Sequence, residues 1–337
     1  MSNERLLSII ESFAKRRVLV VGDIIADEFI YGQVARVSRE APVLILKYDA
    51  TEMVAGGGAN AANNVAALGG RARLAGMVGA DAEGRRLVST LLPGVERTHI
   101  VRARQYRAPV KTRILAGGIH SAKQQVVRID RDAEWPLSEE VSRVFASKLA
   151  VAVSGCDAVV LSDYGSGLVT PMLAGRIRAA LARGSTPHHV PVLVDSRHRL
   201  LEYQDMTTCT PNESEVEESL GVHIDDDADS LERAGRAILR RTQSASVLVT
   251  RGSRGMSLFE RKQTTVHIPI VGSSEVADVT GAGDTVIATV ALALASGGSF
   301  EEAARLANHA GGLVVKKRGT ATVSARELAE AISQSEG

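Results

Sequence analysis

The sequence predicts a three-layer α/β domain in which helices flank a mostly parallel central sheet and a small second β-sheet forms a lid. Three observations predict it. Short β-branched runs alternate with longer helical patterns along the chain, the order expected of βαβ units. The runs are continuously apolar, as strands buried on both faces require. Two stretches, at about 34–54 and about 101–132, carry strand-like runs with no amphipathic helix between them, so they are expected to leave the main layer.

The elements follow in order. Leu6, Leu7, Ile10 and Phe13 recur at helical spacing among charges, which predicts a surface helix and not the unbroken apolar core of a secretion signal. VLVV before Gly22 is the first central strand, and VARVSREAPVLILKYDATEMV is the first lid segment. The glycine cluster Gly56 to Gly58 then opens a helix, with no strand expected to end directly before it. The second lid segment ends near Asp132, after which DAVVLSD around Val160, PVLVD ending at Asp195 and SVLVT ending at Thr250 supply further central strands. Open α/β sheets bind ligands beyond the carboxyl ends of their strands, and a lid there excludes water. The acidic run Asp225 to Asp229 reads as a solvated loop capping the next helix, in preference to a cation site. No internal repeat or low-complexity linker is visible, so residues 1–337 are expected to form a single domain.

Composition narrows the function. With 45% apolar residues and a mean hydropathy of +0.02, the chain can bury a sizeable core without being a membrane protein. A formal charge of +1 provides no global field for nucleic acid or an anionic membrane. Any anion must be held locally. Cys156 and Cys209 are far apart and lack a CxxC partner, so neither a disulfide framework nor a zinc site is expected, and a reducing cytoplasm is the natural compartment.

Two stretches carry chemistry. In ADVTGAGDTVIATV, Gly281, Ala282 and Gly283 precede an apolar helix and Asp284 enters its first turn. Small residues at a helix start let N–H groups point outward together and form an anion hole. A carboxylate beside such a hole is the minimum equipment for moving a phosphoryl group to a hydroxyl. The alternative is a tight strand-to-helix turn with Asp284 stabilising the helix by its charge. In MVAGGGANAANNVAALGG, Asn60, Asn63 and Asn64 offer both donors and acceptors to sugar hydroxyls. Helix capping is the other reading, stronger for Asn63 than for Asn60.

Together, DVTGAGDT, GGGANAANNVAALG and the opening VVGDIIADEF resemble the ribokinase-like PfkB carbohydrate kinases. The likeness is greatest to the bacterial D-glycero-β-D-manno-heptose 7-phosphate kinases, one half of bifunctional ADP-heptose synthesis enzymes. It is carried by VSREAPV at 37–43, VKTRILA at 110–116, QQVVRID at 124–130, LSDYGSG at 161–167, TPNESE at 210–215 and KRGTATVS at 317–324, and it covers the chain from about Arg17 onward. The resemblance implies a ribokinase-like fold and transfer of a phosphoryl from ATP to the anomeric hydroxyl of the heptose 7-phosphate.

It also implies roles. Asp284 matches the catalytic base, and Gly281, Ala282 and Gly283 match the anion hole. Asp27 matches an aspartate that accepts hydrogen bonds from sugar hydroxyls, with Gly57 and Asn60 as further substrate contacts. Asn212 and Glu215 match an NxxE motif that organises Mg2+ and phosphate through water. Thr250, Gly252 and Gly255 match the loop under the nucleotide, and Asn308 a residue near the adenine. A K+ site often lies beside the anion hole, where Asp278, Thr280 and Gly319 could support it. Independently of the family, Asn212 and Glu215 lie on one face of a helix start and can hold a hydrated magnesium jointly, although NESE also reads as a capping box. A phosphorylated acceptor requires a local cationic pocket, which Lys111 and Arg113 can supply from one strand face, with Arg39 nearby. A solvated lid edge is the alternative for them. The apolar VLIL at 43–46 predicts a homodimer formed through the lid.

The pattern departs in two places. DSRHRL follows the strand ending at Asp195 where the heptose kinases carry a DPKG-like turn, so Arg197 and His198 stand in place of a lysine, and GGIHSAK at 117–123 is an apparent insertion. Both bear on the sugar and not on the reaction. With no HxGH-type sequence present, only the kinase step is expected. The rival readings are the same chemistry on a fructose- or ribose-like sugar or sugar phosphate, and a catalytically silent nucleotide- or sugar-binding protein. Asp284, the anion hole, Asn212 and Glu215 together argue against the latter. A dehydrogenase fits less well, because GDIIAD follows the first strand where a glycine fingerprint would stand.

Overall fold

The computed structural model describes residues 2–117, 123–133, 138–183, 189–224, 228–271 and 278–334. Along the chain, β1 (Arg17–Gly22) enters the core, and β2 (Ile24–Val37) and β3 (Leu44–Gly57) leave it. Next, β4 (Arg71–Gly79), β5 (Val95–Glu96) and β6 (Ile100–Ala103) return to the core before β7 (Val110–Gly117) and β8 (Gln124–Arg131) leave it again. The chain then adds β9 (Ala158–Asp163), β10 (Val192–Ser196), β11 (Thr208–Cys209), β12 (Ser246–Thr250), β13 (Met256–Glu260) and β14 (Val266–Ile268).

The central sheet runs β14-β13-β12-β11-β10-β9-β1-β4-β5, with β6 also paired to β4. Its strands from β12 to β5 are parallel, and β13 and β14 form an antiparallel edge. Val18 to Val21 of β1 are wholly buried between β4 and β9, which is why that run is unbroken. Successive strands are added to one side of β1 and later to the other, so the order reverses there. The crevice beyond the carboxyl ends at such a reversal is the natural ligand site of this architecture.

The lid is a separate four-stranded sheet ordered β3-β2-β7-β8, and it differs from the sequence reading at its bounds. It begins at Ile24, not near residue 34, because β2 pairs with β3 along its whole length. Val101 to Ala103 are not lid residues; they pair with β4 and bury Val101 and Ala103 in the core. Most of the segment 117–123 and the first part of the acidic run 225–229 lie outside the described residues. No helix among the described residues is long and apolar enough to cross a membrane.

One junction contradicts the sequence reading. β3 ends at Gly57 and the helix Gly58–Ala67 begins with no loop between them. Gly57 makes this reversal at φ 57, ψ −135, where a Cβ would lie 2.7 Å from the Asp23 carbonyl, so only glycine fits. Gly58 comes just as close to β1, since a Cβ there would lie 2.8 Å from the Gly22 Cα. The small residues of GANAAN bring this helix against the helix Ala282–Ala295, itself buried from Asp284 to Ala293. Two helix starts are thereby placed side by side at the crevice floor.

Candidate active site

Asp284 lies in the first turn of the helix Ala282–Ala295, and its carboxylate is held from both sides. Asn60 Nδ2 donates to Oδ2 at 2.8 Å, and the Tyr164 hydroxyl donates to Oδ1 at 3.0 Å. Burial pushes the Asp284 carboxyl up to about 7, against these two donors, which draw it down. Such a group is poised to exchange a proton near neutral pH. The amide of Asn60 cannot be turned over, because Asn64 Nδ2 donates to its Oδ1 at 3.2 Å and Thr285 Oγ1 donates to Asn64 Oδ1 at 2.8 Å. Asn60 therefore presents its amide to Asp284, whereas the sequence reading had it meeting sugar. Asn63 braces the segment after Thr90, donating to the Thr90 carbonyl at 3.3 Å and accepting from Leu92 N–H at 2.9 Å.

The sequence assigns Gly281, Ala282 and Gly283 to an anion hole, and in the structure one of these three N–H groups is already engaged. Gly281 sits at φ 77, where a Cβ would also lie 2.5 Å from Asn60 Nδ2. The N–H of Ala282 is used within the turn, donating to Val279 at 3.2 Å, while those of Gly283 and Asp284 find no acceptor among the described residues, as at any helix start. Gly283 differs from Gly281. A Cβ there would have only Asp195 Oδ2 within 4 Å, at 3.9 Å, so the protein itself leaves room for a side chain at this position.

Acidic and basic groups converge around this space. Burial, with Glu215 and Asp284 close by, holds the Asp195 carboxyl well above its ordinary range, and burial also raises Glu215. Opposing them, the Arg197 guanidinium lies 4.6 Å from the centroid of the Tyr164 ring, and Lys111 Nζ lies 4.8 Å from the same centroid. Burial beneath the lid, with Arg197 near, brings the Lys111 ammonium down to about 8. His198 is turned outward to Glu218 at 3.4 Å, so Arg197 is the residue of the departing DSRH turn that enters the site.

Register explains the lid side. Asp27 of β2 lies beside Lys111 of β7, and Phe29 beside Arg113, so Asp27, Lys111 and Arg113 share a face. Arg113 pairs with the buried Asp27, which also accepts from Thr320 Oγ1 at 3.3 Å. Gly56 accommodates this pair, since a Cβ there would meet Asp27 Oδ2 at 2.3 Å. The sequence reading set Arg113 aside for a phosphate; in the structure its guanidinium is engaged by Asp27, because parallel pairing of β2 with β7 brings the two together. Lys111 remains on the crevice side. Arg39 is in the exposed turn between β2 and β3.

Asn212 and Glu215 form the capping box of the helix Glu213–Leu220, each accepting from the other's N–H at 2.9 Å. Thr250, Gly252 and Gly255 lie in the turn from β12 to β13, where Gly252 and Gly255 adopt φ 56 and 79. An open depression lies between this turn and Asn212, flanked by Arg251 and Arg254. Asn308 is buried and donates to the Pro269 carbonyl at 2.7 Å, and Pro269 in turn packs closely on Gly255. Asp278, Thr280 and Gly319 do meet: the Asp278 carboxylate accepts from Thr280 N–H at 2.9 Å and Gly319 N–H at 3.0 Å. Its partial burial is outweighed by these donors, and the carboxyl stays below its ordinary range. Among the described residues, no three His, Cys, Asp or Glu side chains gather to hold a metal.

Sequence reasoning missed Tyr164 and Asp195. LSDYGSG contributed only to the resemblance, and Asp195 served only to mark a strand end. Both stand at carboxyl ends of neighbouring parallel strands, β9 and β10, and that position was the available signal.

A family model described as pfkB family carbohydrate kinase matches residues 15–327. The protein named Bifunctional protein HldE of Pelobacter propionicus is 39% identical over 335 residues, which cover 99% of this chain and 66% of that protein. Its namesake from Caulobacter vibrioides is 41% identical over 341 residues, covering 99% and 67%. The chain thus spans about two thirds of the length of these curated relatives. A solved Arabidopsis thaliana ribokinase complexed with ribose and ATP superposes with a TM-score of 0.75 at 22% identity, covering 95% of this chain and 99% of that one. The resemblance and the fold class expected from the motifs are both borne out.

Proposed function

The chain belongs to the pfkB family of carbohydrate kinases, phosphotransferases with an alcohol acceptor, and on that premise we propose that it transfers the γ-phosphoryl of ATP to the anomeric hydroxyl of D-glycero-β-D-manno-heptose 7-phosphate, giving the 1,7-bisphosphate. The observation that carries this reading is the juxtaposition of Asp284, poised near neutrality, with an open helix start and with Lys111 and Arg197 facing the same crevice. The motifs shared with heptose 7-phosphate kinases and the relatives named HldE support the choice of sugar. The second reading, another sugar phosphate, is favoured by Arg197 occupying the place of a lysine.

In the proposed reaction the acceptor hydroxyl gives its proton to Asp284 as its oxygen bonds the γ-phosphorus, and the bond from that phosphorus to the β-phosphate oxygen breaks. The Gly283 and Asp284 N–H groups hold the phosphoryl oxygens. Asp27, fixed by Arg113, accepts from sugar hydroxyls. The depression beside Asn212, Thr250 and Gly252 holds the nucleotide. Mg2+, when bound, neutralises phosphate charge. The chain fits it: Asp195 and Glu215 are crowded carboxylates whose raised proton affinity a hydrated cation would relieve, with Asn212 capping beside them. Asp278, Thr280 and Gly319 are the residues that would hold a K+ next to the Gly281 turn. The two buried, unpaired cysteines suit a cytoplasmic setting.

ADP release measured across heptose 7-phosphate, fructose, ribose and their phosphates tests the acceptor. Lys111→Ala should lower the specificity constant for the phosphorylated acceptor at least about tenfold more than that for the unphosphorylated sugar, the effect of one charge-assisted contact. Arg113→Ala should lower both, because it releases Asp27. Equal losses in the two variants on every acceptor would remove Lys111 from the phosphate.

The lid also suggests an assembly. Val37, Val43, Leu44, Tyr48, Val127 and Ile129 are exposed apolar side chains, and all belong to it. We place a second copy of the chain on this sheet. Light scattering should report a dimer at micromolar concentration, and Val127→Glu with Ile129→Glu should give a monomer; a wild-type monomer with full activity would exclude the arrangement.

A further inference from the structure

Asp284 has two oxygens, and among the described residues each accepts from one donor. Oδ2 is tied to Asn60, whose amide is locked by Asn64 and Thr285. Oδ1 accepts from the Tyr164 hydroxyl at 3.0 Å, and a carboxylate oxygen that accepts one donor keeps a second lone pair. Asn60 and Tyr164 together therefore set the direction in which the remaining lone pairs face. The Tyr164 ring is itself fixed, with Lys111 from the lid 4.8 Å and Arg197 4.6 Å from its centroid. Its backbone is held too, since its N–H donates to Asp23 Oδ2 at 2.9 Å. Burial and the neighbouring Asp284 hold the phenol well above its ordinary range, so it remains a donor wherever Asp284 is charged.

We propose that Tyr164 is a positioning residue: with Asn60 it holds the Asp284 carboxylate in the direction of the acceptor hydroxyl and, through the Lys111 contact on its ring, ties that direction to the seating of the lid. This rests on Asp284 being the base. The charged and titratable groups facing Asp284 are Asp27 from the lid, Asp195 and Arg197 from the β10 end, and Tyr164 itself. Of these only Tyr164 touches it. The donor lowers the proton affinity of Asp284, so its loss raises it.

Tyr164→Phe keeps the ring and both cation contacts and removes one hydroxyl. Its acid limb in the pH profile of kcat/KM should move upward by about 0.5 to 1 unit, the worth of one hydrogen bond. Turnover should fall about tenfold at pH 7 with the KM for ATP unchanged. A merely structural tyrosine would lower the melting temperature without moving the limb. As a measurement that needs no substitution, uniform replacement of tyrosine by 3-fluorotyrosine, a stronger donor, should move the limb downward in the otherwise unaltered chain. A limb that moves in neither protein overturns the proposal. The two claims separate cleanly: a limb that survives in the residual activity of Asp284→Asn unseats the base, whereas a limb abolished there but unmoved in Tyr164→Phe unseats only the tyrosine.

Discussion

Asp284→Asn is expected to cut turnover by about two to four orders of magnitude while ATP binding stays nearly intact, the usual contribution of a positioned general base. Asparagine retains the shape of the side chain and can still accept from Asn60 or Tyr164, but it takes no proton. In the wild type, activity should rise with pH through about 7 as the Asp284 carboxyl ionises. Stability runs the opposite way. The unfolded carboxyl loses its proton near 3.8 and the folded one near 7, so the stability it contributes is complete below the first value and is lost as pH rises through the second. The variant lacks this loss, so its melting temperature should exceed that of the wild type by more at pH 8 than at pH 5. Steady-state kinetics and thermal melts across pH check both halves. Turnover within threefold of wild type would remove Asp284 from the role.

Gly283→Ala should lower turnover by about two to three orders of magnitude, the scale of a lost anion-hole donor, with an unchanged melting temperature. Nothing in the protein demands glycine there: its φ is ordinary, and a Cβ would have only Asp195 Oδ2, at 3.9 Å, within 4 Å. The new methyl group would stand in the gap between the helix start and Asp195, where the phosphoryl must pass. Gly281→Ala, by contrast, should destabilise the fold, since φ 77 and the closeness of Asn60 both resist a side chain. Full activity of Gly283→Ala would mean that the phosphoryl travels elsewhere.

The Gly281–Asp284 turn was legible in sequence because anion hole and carboxylate are contiguous, and the turn chemistry is local. The central strands were legible as unbroken apolar runs. What could not be read was direction. Asn60 was recognisable as a polar residue on a buried helix, but its partner comes from a helix start 224 residues away. Arg113 was expected to face a phosphate because β7 alternation puts it beside Lys111; only the pairing of β7 with β2 shows that Asp27 claims it. Tyr164 and Asp195 carry no chemical motif of their own, only a place at the ends of predicted strands, since their importance arises where those strand ends converge. NESE had two readings, and the capping box is formed.

The direct passage from β3 into the helix Gly58–Ala67 bears on which changes of chain length the molecule can absorb. With no slack at Gly57, one residue inserted or deleted there would turn the whole helix by about 100° about its axis, swinging Asn60 off Asp284 and its small neighbours out of their seats against β1. The outer turn at 38–43, exposed and remote from both helix starts, has no such coupling. Lengthening and shortening of the lid are therefore confined to its rim, while the inner end behaves as a crank of fixed length that joins the roof of the crevice to its floor.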